Sequence, residues 1–185
     1  MLTMMPMAAC DGSNADPILP EQPGQPGNSD GGDEDDSTDP TNPIPGGNGR
    51  YLVLYCSRTG STERMAQQIQ QTLDCDILEV EPQTPYESDY NGMLNRAQEE
   101  LAVIRQGNYP AIKTSVEDFG NYDIVFVGYP IWYGSMATPM QTFLHNHASK
   151  LAGKRIALFA SSGSSGISAS VDEARTLCSG ATFTE

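Results

Sequence analysis

The sequence predicts an α/β domain in which a parallel sheet is covered by helices on both faces. Short apolar runs rich in β-formers recur at 51–56, 122–128 and 154–160, as strands buried on both faces do. Segments with apolar residues at helical spacing separate them. Strand and helix therefore alternate, which implies right-handed crossovers and parallel pairing. In such sheets ligands sit beyond the carboxyl ends of the strands, near the switch in strand order.

The chain has 185 residues and a formal net charge of −14, unevenly placed. Residues 1–49 carry nine acidic residues, no Lys or Arg, and eight of the 13 prolines. With little apolar surface to bury, residues 11–49 cannot offset the entropy of ordering and are expected to form a disordered, extended linker. Residues 50–185 are only mildly acidic and long enough for one domain with a real core. No basic patch suits nucleic acid, and no run of about 20 apolar residues suits a membrane span.

The first strand, Tyr51 to Cys56, leads through Ser57-Arg58-Thr59-Gly60-Ser61-Thr62 into a helix whose apolar stripe is Met65, Ala66, Ile69 and Leu73. Asp76 to Glu81 mixes β-formers with charges, as an edge strand does. Thr84-Pro85-Tyr86 breaks it. Tyr90, Met93, Leu94, Ala97, Leu101 and Ile104 mark a long helix from Ser88 that ends near Gly107. An interior strand at 122–128 then runs into an aromatic loop, 129–135. Thr138 is the expected N-cap of the next helix, with Pro139 at its first position. After the strand at 154–160 comes a Ser/Gly loop, 161–166. Ser170 and Glu173 are placed as a capping box for the following helix. Residues 181–184 start a fifth strand, and no closing helix fits before Glu185, which predicts uncovered apolar side chains on the central strands.

The turn from Ser57 to Thr62 carries the most chemistry. Four hydroxyls (Ser57, Thr59, Ser61, Thr62) can donate toward the amino end of a helix, where unpaired N–H groups and the dipole favour an anion. Gly60 lets the backbone approach closely. The combination describes a seat for a phosphate monoester. It is not a P-loop, since no Lys is present, nor a dinucleotide fingerprint, since only Gly60 is available. A cysteine phosphatase would need Arg six residues after Cys56, where Thr62 stands. The plain alternative is a βα turn that happens to be rich in hydroxyls. No CxxC pair occurs, so a zinc or dithiol site has little support. Cys56 and Cys178 read as small core residues, and Cys75–Cys178 pairing stays open.

The loop 57–62 resembles the Ser/Thr-x-Thr-Gly-x-Thr phosphate loop of flavodoxins. Pro130-Ile131-Trp132-Tyr133-Gly134 resembles the flavin-edge loop of one bacterial flavodoxin branch, and Ser161, Ser162, Gly163 and Gly166 match the third flavin loop in position and composition. The resemblance covers 51–185. It implies a flavodoxin-like three-layer sandwich with a five-stranded parallel sheet of order 2-1-3-4-5, its last helix missing. It also implies FMN as cofactor, held by Ser57, Arg58, Thr59, Gly60, Ser61 and Thr62 at the phosphate and by Pro130, Ile131, Trp132, Tyr133 and Gly134 at the ring. Trp132, the only tryptophan, is the candidate ring contact, with a loop residue folded onto its own domain as the alternative. Tyr86 falls where the branch carries Thr-Pro-Tyr.

No general acid, base or nucleophile stands out, so no catalytic residue and no metal ligand is named. The implied function is electron transfer or FMN-dependent oxidoreduction, with a redox partner protein or a small-molecule electron acceptor. The competing reading is a flavin-free envelope lipoprotein using the fold as an interaction module. Residues 1–10 are apolar and end Ala8-Ala9-Cys10, which resembles a partial bacterial lipoprotein signal with Cys10 as the lipidated residue. The expected location is the bacterial cell envelope, attached peripherally through that lipid; without the lipid it is the cytoplasm.

Overall fold

The structure, a computed structural model, describes residues 50–184. Cys10 and the linker at 11–49 lie outside the described residues. In chain order the elements are β1 (Tyr51–Tyr55), α1 (Ser61–Leu73), β2 (Asp76–Glu79), α2 (Tyr90–Ile104), β3 (Ile124–Trp132), β4 (Ser135–Met136), α3 (Thr138–His147), β5 (Arg155–Ser161), α4 (Ser168–Leu177) and β6 (Thr182–Phe183).

The parallel strands lie in the order β2-β1-β3-β5-β6. This is the expected 2-1-3-4-5 arrangement once the short β4, which pairs antiparallel with β3, is set aside. β1 pairs with β2 on one side and β3 on the other, so its residues are shielded on every side. Leu52, Val53 and Leu54 have no exposed surface. Each such side chain contributes roughly 1.5–3 kcal/mol of burial, which explains the unbroken apolar run.

Alternate residues divide between two cores. Val53, Tyr55 and Ile77 meet Ala66 of α1 on one face. Leu52, Leu54, Val125, Val127 and Tyr129 meet α2, α3 and α4 on the other, through Met93, Ala97, Phe143, Leu144 and Ala174. The result is three layers. Phe126 and Phe159 pack beside α1 and stay half-buried. A Cβ at Gly128 would lie 2.1 Å from the Phe159 ring, so that ring occupies the space a side chain would need. His147 holds α3 to the preceding segment: Nδ1 donates to the Phe143 carbonyl (2.8 Å) and Nε2 accepts from the Val116 N–H (3.2 Å). Burial lowers its pKa and keeps the ring neutral.

Several local expectations are corrected. The aromatic stretch 129–135 is not a loop: β3 continues to Trp132 because β5 pairs with it through Pro130↔Ser161. The chain then reverses in a two-residue turn, Tyr133 at φ 51° and Gly134 at φ 79°, and Ser135 returns opposite Trp132. Both central residues are left-handed, as a hairpin turn that follows strand twist requires. Thr138 does not cap α3; the N-cap is Ala137, and the Thr138 hydroxyl donates to Glu100 instead. Ser170 lies inside α4, and Glu173 is no capping box. Its carboxylate accepts from Ser135 Oγ (2.7 Å) and Met136 N–H (2.8 Å), fastening the hairpin to α4. Met65 and Tyr90, both placed on apolar stripes, are exposed. Cys56, Cys75 and Cys178 are buried free thiols, which closes the question of a Cys75–Cys178 bridge.

Candidate functional site

α1 opens without a side-chain cap. Gly60 is its N-cap at φ 77°, and the first helical hydrogen bond is Arg64 N–H to the Gly60 carbonyl (3.0 Å). The N–H groups of the first turn therefore have no intrahelical acceptor. Ser57 Oγ, just before them, is buried and has no hydrogen-bond partner among the described residues. A buried hydroxyl in that state costs free energy unless something satisfies it. The donor set is neutral hydroxyls and backbone amides, which suits an anion.

The three loops singled out in the sequence line one cleft of about 610 Å³. Arg58, Thr59 and Ser61 form one side, Pro130, Ile131, Trp132 and Tyr133 the second, and Ser161, Ser162 and Gly163 the third. That volume is in the usual range for a cofactor pocket. Thr62 does not reach it. Its side chain is 1% exposed and its hydroxyl lies 2.8 Å from Ser161 Oγ, so it ties the first loop to the third. Gly60, Gly134 and Gly166 are also off the wall. The first two supply left-handed turns, and Gly166 precedes α4. In the third loop Ser162 Oγ accepts from the N–H groups of Ser164 (3.3 Å) and Ser165 (2.8 Å), which gives it a local fold of its own.

Trp132 is packed onto its own domain, as the alternative set out for it has it. It is 9% exposed and belongs to the core, and it also walls the cleft. Its ring meets that of Tyr86 edge-on at 5.0 Å. Tyr86 donates to Glu100, whose carboxylate also accepts from Thr138 and from Arg96 Nε (2.8 Å). Arg96 in turn donates to the carbonyls of Pro85 (2.8 Å) and Thr84 (2.9 Å). This fixes the Thr84-Pro85-Tyr86 turn whose role the sequence left open. Arg58 does a similar task at the first loop, where Nη2 donates to the carbonyls of Glu87, Ser88 and Asp89 at 2.9–3.3 Å.

Reading the sequence missed Tyr90, Met93 and Leu94 as cleft residues. Tyr90 is the first residue of α2, directly after the N-cap Asp89, and 64% exposed. Tyr133, which lines the same cleft, is 53% exposed, with its hydroxyl donating to the Leu94 carbonyl (3.3 Å). Two open aromatic rings thus line a cleft that also takes in residues from the start of α1. The available signal was the position of Tyr90: a large aromatic at the first helical position lies on the end of the helix, where the apolar stripe is least covered.

The cleft lies at the carboxyl edge of a doubly wound sheet, and its hydroxyls, helix start and aromatic rings are groups that suit a phosphate-bearing ligand with a flat ring. A family model described as flavodoxin matches residues 50–185, and the chain belongs to the flavodoxin family. Its structure is similar to that of a candidate flavoprotein from Bacteroides eggerthii DSM 20697, at 34% identity and TM-score 0.65, over 74% of this chain and 85% of that one. A flavoprotein from Lactobacillus acidophilus NCFM, solved in complex with FMN, is 27% identical at TM-score 0.63, over 72% and 89% of the two chains. A further candidate flavoprotein, from Bacteroides uniformis ATCC 8492, is 29% identical at TM-score 0.63, over 75% and 87%. No curated protein matches the chain.

Proposed function

We propose that the chain binds FMN in the cleft and serves in electron transfer or FMN-dependent oxidoreduction. The observation that carries this is the convergence of the hydroxyl loop, the aromatic hairpin and the Ser/Gly loop on one cleft beside an uncapped helix start. FMN supplies the redox chemistry when bound, and the protein supplies binding, orientation and electrostatics. Thr59, Ser61 and the first-turn N–H groups of α1 would hold the phosphate, and the buried Ser57 hydroxyl gains a partner nearby. Tyr133, Tyr90 and Trp132 would bound the ring. The electron acceptor is a partner protein or a small molecule that reaches the open side of the cleft. Purified protein should be yellow and release FMN on denaturation. Colourless protein that takes up no FMN would favour the flavin-free interaction module.

The seat for the phosphate has its own test. A hydrogen bond to a charged group is worth roughly 1.5–3 kcal/mol, so Thr59→Ala should weaken FMN by about ten- to a hundredfold. Riboflavin lacks the phosphate and should bind unchanged. Equal losses for both ligands would move Thr59 from the phosphate to the ring or the fold.

Attachment to a bacterial membrane through lipidated Cys10 is supported by Ala8-Ala9-Cys10 and the acidic, proline-rich spacer after it. One acyl chain gives only marginal binding, so firm attachment needs several. In cell fractionation the wild type is expected in the membrane pellet and Cys10→Ser in the supernatant. A Cys10→Ser protein that still pellets rejects the anchor.

A further inference from the structure

Beside the main cleft lies a second, smaller cavity of about 260 Å³. The two share Arg58 and Trp132, and the small one adds Ser57 and two carboxyl groups, Glu79 and Glu81. Glu79 closes β2 opposite Tyr55, the last residue of β1, and so stands at the root of the hydroxyl loop. The Ser57 backbone N–H donates toward its carboxylate, and Tyr55 Oη donates to Oε2 at 3.5 Å. No Lys or Arg pairs with it among the described residues. The groups around it are Tyr55 on β1, Cys56 just beyond, Glu63 on α1 and Glu81 two residues on, and Lys113 across the cavity pairs with Glu81 at 3.1 Å.

We propose that Glu79 makes capture of the cofactor phosphate proton-linked: neutral Glu79 lets the loop accept the phosphate dianion, and ionised Glu79 weakens that grip. This rests on the FMN reading above. The geometry sets two anionic groups against one loop, since Ser57 meets Glu79 through its backbone and begins the stretch that seats the phosphate. Burial, and then repulsion from Glu81 and Glu63, push the Glu79 carboxyl up to about 7 before any ligand is present. A phosphate dianion adds a further like charge and pushes it higher. Binding then draws one proton from solvent onto a Glu79 carboxylate oxygen. The sign follows: affinity is greatest below about pH 7 and declines as pH rises through the neutral range. The ligand phosphate works the other way, since its second proton leaves near pH 6, so a decline above neutrality belongs to the protein.

Calorimetric titration of the flavin-stripped protein with FMN, in two buffers of different ionisation enthalpy, counts the protons. Uptake of about half a proton per FMN is expected near pH 7.5, with Kd rising by somewhat under tenfold from pH 6.5 to 9, the effect of about one unit's shift in Glu79. Glu79→Gln keeps an acceptor for Tyr55 and should show no uptake, a flat profile and tighter binding than wild type at pH 9. Riboflavin should show no linkage on either protein. FMN binding with no proton uptake and a constant Kd overturns the role of Glu79 and leaves the cofactor reading intact. Equal uptake with riboflavin also overturns it, because the proton is then not answering the phosphate. No saturable FMN binding at any pH overturns the cofactor reading and the linkage together.

Discussion

Trp132→Ala is expected to lower the melting temperature of the flavin-stripped domain by roughly 10–20 °C, the equivalent of about 3–5 kcal/mol. Trp132 is a core residue that also walls the cleft, and removing the indole leaves a void between β3 and Tyr86. The edge-on contact with Tyr86 is lost as well, and such pairs add about 0.5–1.5 kcal/mol beyond burial. Trp132→Phe, which keeps a ring of the same orientation, should recover more than half of the loss. Binding is separable from folding if FMN is titrated at low temperature, where the variant is still folded. There the Ala variant should bind FMN more weakly while the Phe variant stays near wild type. An unchanged melting temperature for Trp132→Ala would mean the indole does not pack as described.

Glu100→Ala should cost about as much, roughly 3–5 kcal/mol, for a different reason. The Glu100 side chain is only 12% exposed and accepts from Tyr86, Thr138 and Arg96. Deleting it leaves the Tyr86 and Thr138 hydroxyls only each other as partners (2.7 Å) and a guanidinium, itself 21% exposed, without its carboxylate. A buried network that loses one member costs more than the sum of its bonds, because every partner keeps its desolvation penalty. Glu100→Gln, which can still accept two of the three bonds, should lose less than half as much. The same carboxylate holds Tyr86 against the single tryptophan, so intrinsic fluorescence reports on it. Below the unfolding transition, Glu100→Ala should show red-shifted Trp132 emission. Emission identical to wild type would show that Tyr86 keeps its place without Glu100.

The parts legible in the sequence are those decided by local composition. The strands around 51–55 and 124–128 were readable because burial on both faces leaves no room for a polar residue. The hydroxyl loop was readable because its donors are consecutive in the chain. The illegible parts are those where a side chain serves a distant element. Thr138 and Glu173 carry the local signature of helix caps, yet each bonds to a group 37 or 38 positions away in the sequence. A long-range partner that also needs burial outcompetes the cap, and nothing within one turn of the chain announces it. The hairpin at Tyr133-Gly134 was hidden for another reason: a tyrosine at positive φ is uncommon, and tertiary pairing of Trp132 with Ser135 imposes it. Glu79 looked like an ordinary edge-strand charge. Only its place beside Ser57 shows it to be half-buried at the root of the loop.

The loop from Ser57 to Thr62 is proposed to hold the phosphate of FMN. Equilibrium titration of the flavin-stripped wild-type protein with FMN and with riboflavin, at pH 7 and without phosphate in the buffer, tests it most directly. FMN should bind one to one, with an affinity at least about a hundredfold above that for riboflavin, since several charge-assisted hydrogen bonds are at stake. Equal affinities for the two flavins, or no saturable binding of either, would contradict it.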